Sequence, residues 1–132
     1  MRVNLSNSSL QNRYFSGTGR SHSDVRYERA SVNFKGLMID EVQRVIIREN
    51  QEIELTYTEF EILKLFAKHP GIVFSKEQIY DIVWKESYSG DYNIVMSHIR
   101  NIREKIEDNP SKPSYIQTVW GVGYRFNKNL IA

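Results

Sequence analysis

Between Asn93 and Ile106 apolar and polar side chains alternate at a spacing that can read a nucleic acid. In a helix turning about 100° per residue, Val95, Ile99, Ile102 and Ile106 fall within roughly 60° of one another, so they form a stripe to be buried. The far side carries Asn93, Ser97, Arg100, Asn101 and Glu104, with Ile94 and Met96 at its margins and His98 and Arg103 flanking the apolar stripe. Its chemistry is hydrogen bonding. An Asn amide can bond adenine through two atoms, an Arg can bond guanine or a phosphate, and small residues permit close approach in a major groove. A solvated surface helix also has a polar face, so the face alone names no partner.

Other chemistries find little material. The chain has 132 residues and no cysteine, which removes disulfides and thiolate metal sites. His22, His69 and His98 stand too far apart for metal-ligand spacing. Gly17-Thr18-Gly19 lacks the third glycine and the preceding strand of a dinucleotide site. Asp81, Glu86 and Asp91 have no histidine close by in sequence, so an enzyme is the weakest reading, and no cofactor or metal is expected. Apolar residues make up 40% and charged residues 26%, close to the globular average, which argues against wholesale disorder. Without an apolar run of about 18 residues, no membrane span is expected. The net charge of +2 would not suggest nucleic acid. It hides a local bias: residues 93–128 hold six basic residues (Arg100, Arg103, Lys105, Lys112, Arg125, Lys128) against three acidic ones.

The elements that must position this face follow from period and punctuation. Residues 1–30 are polar and turn-rich and read as a flexible tail or linker; residues 31–128 read as one domain, with 129–132 as a C-terminal tail. Leu37 with Ile39, Val45 with Ile47, and Ile53 with Leu55 alternate with polar neighbours, separated by turns at Asp40-Glu41 and Glu49-Asn50-Gln51. They predict an antiparallel meander, with Arg44, Ile46 and Arg48 between the inward residues of its second run. The period then changes to 3.6. Thr56-Tyr57-Thr58-Glu59 has capping-box form and opens a mostly buried helix through Phe60, Leu63 and Ala67, stopped by His69-Pro70-Gly71. Ser75 to Gln78 is a second capping box, opening a helix to about Trp84 with Ile79, Ile82 and Val83 at core spacing. A loop leads to the third helix, about 92–107, and Pro110 and Pro113 bar its extension. Two strand runs, Tyr115 to Val119 and Tyr124 to Phe126, join through Trp120-Gly121-Val122-Gly123. The fold class is α+β: a winged helix-turn-helix with an N-terminal meander, three helices and a C-terminal hairpin wing. Thr118, Arg125 and Lys128 add donors beside the third helix.

Four runs resemble one family. Leu55-Thr56-Tyr57-Thr58-Glu59-Phe60-Glu61-Ile62-Leu63 and Val73-Phe74-Ser75-Lys76-Glu77-Gln78-Ile79, the latter closed by Val83-Trp84, resemble the start of the effector domain of OmpR/PhoB-type response regulators. The run from Asn93 to Ile106 is similar to the recognition helix of that family, and the run from Tyr115 to Phe126 to its wing. The resemblance implies sequence-specific binding of double-stranded promoter DNA in the cytoplasm, as the output of a two-component system. Trp84, Asn93, His98, Arg100, Arg103 and Thr118 would contact phosphates, and Ile94, Met96, Ser97 and Asn101 would face base edges. The wing, with Trp120 and Arg125, would approach the minor groove. Lys85, Glu86, Ser87, Tyr88, Ser89, Gly90 and Asp91 would form the loop that touches RNA polymerase. Asn101 stands where many members have Arg, Met96 where some have an acidic residue, and Asn93 where Arg is frequent, so the target sequence does not carry over.

Plainer roles stand beside these. Trp84 fits core packing, His98 a bond to helix backbone, and Trp120 an anchor of the hairpin on the core. Gly121 and Gly123 read as conformational. The family places a receiver domain of roughly 120 residues ahead of this one, and 30 residues cannot build such a core. A monomer in solution and a tandem pair on DNA are expected. The rival function is a winged helix that binds protein and not DNA, which requires an apolar exposed face on the third helix and little salt dependence.

Overall fold

The computed structural model describes residues 31–86 and 91–130, except the side chain of Tyr92. The expected tail at 1–30 lies outside them. Four strands, β1 (Ser31–Phe34), β2 (Leu37–Asp40), β3 (Val45–Arg48) and β4 (Gln51–Ile53), form a sheet in that order. The sequence suggested the meander from Leu37 onward; β1 adds to it. Its signal is weak because Phe34 finds its partner far along the chain, with its ring 4.5 Å from that of Phe126.

One strand has the opposite phase to that expected. Ile46, and not the Val45 and Ile47 pair, is the fully buried residue of β3. The register explains it. Ile39 lies opposite Ile46, and Ile46 opposite Ile53, so the three share one face. The turn before β3 sets that register. Asp40, 1% exposed, accepts hydrogen bonds from the Val42 and Gln43 amides, both at 3.0 Å. Arg44 closes the turn in the left-handed region at φ 56°. Its guanidinium lies 4.3 Å from the Phe60 ring centroid and bonds Glu61 at 2.8 Å, tying the sheet to the next helix.

Helix α1 (Tyr57–Lys68) carries the expected capping box between Thr56 and Glu59. Phe60, Ile62, Leu63, Phe66 and Ala67 are all buried. Helix α2 (Lys76–Trp84) starts with the second capping box, Ser75 with Gln78, and ends at Lys85 in the left-handed region. Here one expected core residue is displaced: Ile82 is 48% exposed, while Ile79 and Tyr80 are buried. The buried side of α2 faces α3, and Tyr80 fills it by stacking on Trp84.

Helix α3 (Tyr92–Ile106) follows, then β5 (Ile116–Val119) and β6 (Gly123–Phe126), which pair as a hairpin. The third helix ends one residue earlier than expected, with Glu107 extended at its C-cap. A 3-10 turn at Lys128–Leu130 closes the described chain. Leu130 packs on the core and its carbonyl accepts from the Lys35 amide at 2.8 Å, so order reaches into the expected tail. One core joins the sheet, the helices and the hairpin: Leu37, Ile39 and Ile46 meet Phe66, Ile99, Ile116 and Phe126.

A buried acid ties α1 to α3. Glu59 is 3% exposed, and its Oε1 accepts from Lys105 Nζ at 2.7 Å and from the Thr56 amide at 3.0 Å. Burial acts to raise its pKa, but the hydrogen bonds from Lys105 and Thr56 outweigh it and hold the carboxyl below its ordinary value. A depressed carboxylate contributes stability above its unfolded pKa and loses it as pH falls through the folded one. Glu59→Gln should therefore cost about 1–3 kcal/mol at neutral pH. The difference from wild type should shrink as pH falls below about 4. Urea denaturation at pH 7 and pH 3 checks this; a gap that does not change with pH contradicts it.

Candidate nucleic-acid interface

Helix α3 has two chemically distinct sides. Val95, Ile99, Ile102 and Ile106 are each at most 1% exposed, as their spacing requires. Asn93, Met96, Arg100, Asn101 and Glu104 are exposed, and Ile94, Ser97, His98 and Arg103 are half-buried at the edges. The Asp91 carboxylate accepts from the Asn93 amide at 3.1 Å, which starts the helix. Burial of one stripe thus fixes which side chains face out.

Trp84 and His98 meet between α2 and α3. The Trp84 ring stacks on Tyr80, with centroids 4.9 Å apart and planes 8° apart. The His98 ring meets it edge-on at 5.3 Å. His98 Nδ1 lies 2.7 Å from the Ile94 carbonyl, so that nitrogen donates within its own helix. The plainer roles read from sequence, packing for Trp84 and a backbone bond for His98, are both realised. Both residues remain half-buried at the rim of the exposed face.

The hairpin is built by alternation. Ile116 with Phe126 and Thr118 with Tyr124 are opposite pairs on one face; Gln117 with Arg125 is on the other. Ile116 and Phe126 are fully buried. Arg125 is exposed on the outer face, where its Nε bonds Gln117 at 3.0 Å. At the tip Trp120 is 88% exposed, so it does not anchor the hairpin on the core. Lys128, grouped by sequence with Arg100 and Arg103, instead follows Phe126 past the hairpin base and runs its stem beside Gly71.

Arg103 reaches from α3 to this hairpin. Its Nε and Nη2 donate to the Ile116 carbonyl at 3.2 and 2.9 Å, and Nη2 also donates to Thr118 Oγ1 at 2.8 Å. The guanidinium lies 5.6 Å from the Tyr124 ring centroid. Burial lowers its pKa, with nearby Tyr124 and Glu107 acting the other way. Arg100, three residues earlier, is exposed. Two arginines of one sequence cluster thus have different surroundings.

Residues 85–91 divide similarly. Lys85 caps α2, Glu86 Oε1 accepts from the Tyr80 hydroxyl at 2.8 Å, and Asp91 caps α3. Ser87, Tyr88, Ser89 and Gly90 lie outside the described residues.

Sequence reading passed over Glu107. It is 5% exposed and accepts from the amides of Ser114, Tyr115 and Ile116, at 2.6 to 3.0 Å. A signal was present: an acidic side chain at a helix C-terminus opposes the helix dipole and needs another partner. Among the described residues no helix is long and apolar enough to cross a membrane.

Two successive helices, the second exposing hydrogen-bonding side chains beside a β-hairpin, define a winged helix-turn-helix of the DNA-binding class. Residues 50–126 match the family described as "Transcriptional regulatory protein, C terminal". The chain belongs to this family, the OmpR/PhoB-type DNA-binding domains of response regulators, which are transcription-factor domains and not enzymes. It is 48% identical over 92 residues to the transcriptional regulatory protein YcbL of Bacillus subtilis, covering 70% of this chain and 41% of that protein. It resembles the response regulator DrrB of Thermotoga maritima, an OmpR/PhoB homolog, with a TM-score of 0.69 and 36% identity, over 76% of this chain and 46% of that one. It also resembles the DNA-binding domain of Klebsiella pneumoniae RstA, solved in complex with the RstA box, with a TM-score of 0.69 and 28% identity, over 74% and 96% of the two chains. The chain spans about two-fifths of the length of a full curated relative such as YcbL.

The wing is also held at its second edge. Phe74 and Tyr124 exchange two backbone hydrogen bonds, at 2.8 and 2.9 Å. A Cβ added at Gly123 would stand 2.1 Å from the Phe74 carbonyl oxygen, so any side chain there must break this bridge. At Gly121 the space is open and only its φ of +80° resists substitution. Gly123→Ala should cost about 2–4 kcal/mol and Gly121→Ala about 1 kcal/mol. Denaturation followed by far-ultraviolet circular dichroism measures both. Equal losses would show that the approach to Phe74 does not constrain the wing.

Proposed function

We propose that this domain binds double-stranded promoter DNA sequence-specifically, as the output of a two-component regulator in the cytoplasm. Helix α3 enters the major groove and the wing approaches the minor groove. The observation that carries this reading is the joint presence of a two-sided α3, its buried apolar stripe opposite exposed Asn93, Arg100 and Asn101, and a hairpin wing beside it. Asn101, Ser97, Met96 and Ile94 face base edges. Arg100, Asn93, His98, Trp84 and Thr118 lie where phosphates pass, and Arg125 and Trp120 belong to the wing. The family and the RstA complex support double-stranded DNA as the partner. The protein-contact rival needs an apolar face, whereas Met96 is the exposed apolar side chain on the described part of α3. The segment from Lys85 to Asp91 is the surface for RNA polymerase. The domain is a monomer in solution, and two copies bind direct repeats head to tail.

In vitro selection from a random duplex library identifies the target. On the selected duplex, each phosphate neutralised by a lysine or arginine adds about −0.9 to the slope of log K against log salt, so Arg100 and Arg125 should give a slope of about −2. A slope near zero rules for the protein-contact reading. Asn101→Ala should cost about 1–3 kcal/mol at one base position and flatten preference there. An unchanged selected sequence would remove Asn101 from base readout. Sedimentation should give a monomer without DNA and two copies on a duplex with repeats spaced about 10–10.5 base pairs. Inserting about five base pairs, half a helical turn, should abolish cooperativity between the copies.

A further inference from the structure

We infer that Arg103 is a positioning residue for the wing: it locks the free edge of the hairpin to α3 and acts on DNA through the hairpin, not through a phosphate contact of its own. The inference rests on the DNA-binding reading above. The argument begins with the ladder. Tyr115 and Asn127 extend the hairpin pairing, with the Asn127 amide donating to the Tyr115 carbonyl at 2.9 Å. In an antiparallel pair the residues facing the partner alternate with those facing away. The amide and carbonyl of Ile116 therefore point away from β6, along an edge where no further strand pairs among the described residues. Ile116 is fully buried, and an unmet buried backbone group there is costly. Both groups are met from α3 and its cap: the amide by Glu107 Oε2 at 2.9 Å, the carbonyl by the Arg103 fork.

The fork does more than fill one acceptor. Thr118 lies opposite Tyr124 on the inward face. Nη2 bonds the Thr118 hydroxyl and the guanidinium packs over the Tyr124 ring, so one planar cation holds both strands. The opposite edge, on β6, is held by the Phe74 bridge. A two-stranded hairpin is marginal alone. Here the β6 edge is held by the Phe74 bridge and by the Gly71 amide, which donates to the Phe126 carbonyl at 2.8 Å, and the β5 edge by Glu107 at the cap of α3 and by Arg103, the side chain from within α3. The angle between helix and wing, and so the place of Trp120 relative to the groove, follows from it. Lysine cannot replace it, because a point charge lacks the fork.

The test uses the full chain and the duplex selected by the wild type. Arg103→Lys keeps the charge without the fork and Arg103→Gln removes both; Thr118→Val removes one acceptor while leaving the arginine in place and, because Thr118 also lies where a phosphate passes, is read in the free protein alone. Both Arg103 variants should weaken binding about 10- to 150-fold, the scale of a lost hydrogen bond to a charged group. The salt slope should stay at the wild-type value, and the losses should not add to that of Trp120→Ala. Hydroxyl-radical footprints should lose the wing's protection and keep that of α3. In the free protein, residual dipolar couplings of hairpin amides should change relative to those of α3, with Thr118→Val as the guard should an Arg103 variant fail to fold. A direct phosphate contact predicts the reverse: Arg103→Lys near wild-type affinity, and a slope reduced by about 0.9 in Arg103→Gln. That result, or hairpin couplings unchanged in Thr118→Val and Arg103→Lys, overturns the inference. A wild-type domain that selects no sequence would overturn the DNA-binding reading and any action through DNA, while the free-protein couplings would still decide whether the tether exists.

Discussion

The carboxylate of Glu107 stands one residue past the end of α3 and accepts the amides of Ser114, Tyr115 and Ile116. Buried among apolar neighbours, this charge is tolerable only because backbone donors surround it. Those donors belong to the segment entering β5, so satisfying the acid fixes where the hairpin begins relative to the helix. The hydroxyl of Tyr115 then donates to the Lys35 carbonyl at 2.6 Å, carrying the constraint to the turn after β1. Helix, wing and sheet are in this way referred to one point. Loss of the carboxylate would leave the buried amides of Tyr115 and Ile116 without acceptors, a larger penalty than loss of a surface pair.

From that point the interface is assembled by opposed demands on α3. Its apolar stripe is driven inward by burial. The Glu59–Lys105 pair and the Trp84–His98 contact hold its two other neighbours, α1 and α2. What remains outward is polar apart from Met96. Arg100 and Arg103 show the division: one exposed, the other engaged by the hairpin.

The wing follows the same economy. Its inward face passes from apolar to polar along its length, from Ile116 and Phe126 in the core to Thr118 and Tyr124 at the rim. Its tip presents Trp120 and Val122 to solvent. Both edges of the hairpin are tied to the rest of the domain below this tip.

Local chemistry was legible in the sequence. Both capping boxes, the 3.6-residue stripe of α3, the stops at its end and the glycine-rich wing turn depend on residues within a few positions of one another, and each stands where spacing placed it. Quantities that depend on distant partners were not. The phase of β3 was misread because Ile46 turns inward through its pairing with Ile39 and Ile53, set by a turn in which Arg44 takes a left-handed conformation. Ile82 was misplaced because two faces of α2 carry apolar residues, and only the packing of Tyr80 against Trp84 and Glu86 chooses between them. The basic residues late in the chain looked like one group. Tertiary structure separated them, because strand alternation puts Arg125 on the outer face, the hairpin's open edge captures Arg103, and Lys128 falls past its base. Periodicity alone determined which side of α3 faces out; which of its arginines is engaged inside the domain was decided by a backbone carbonyl that the hairpin ladder leaves unpaired.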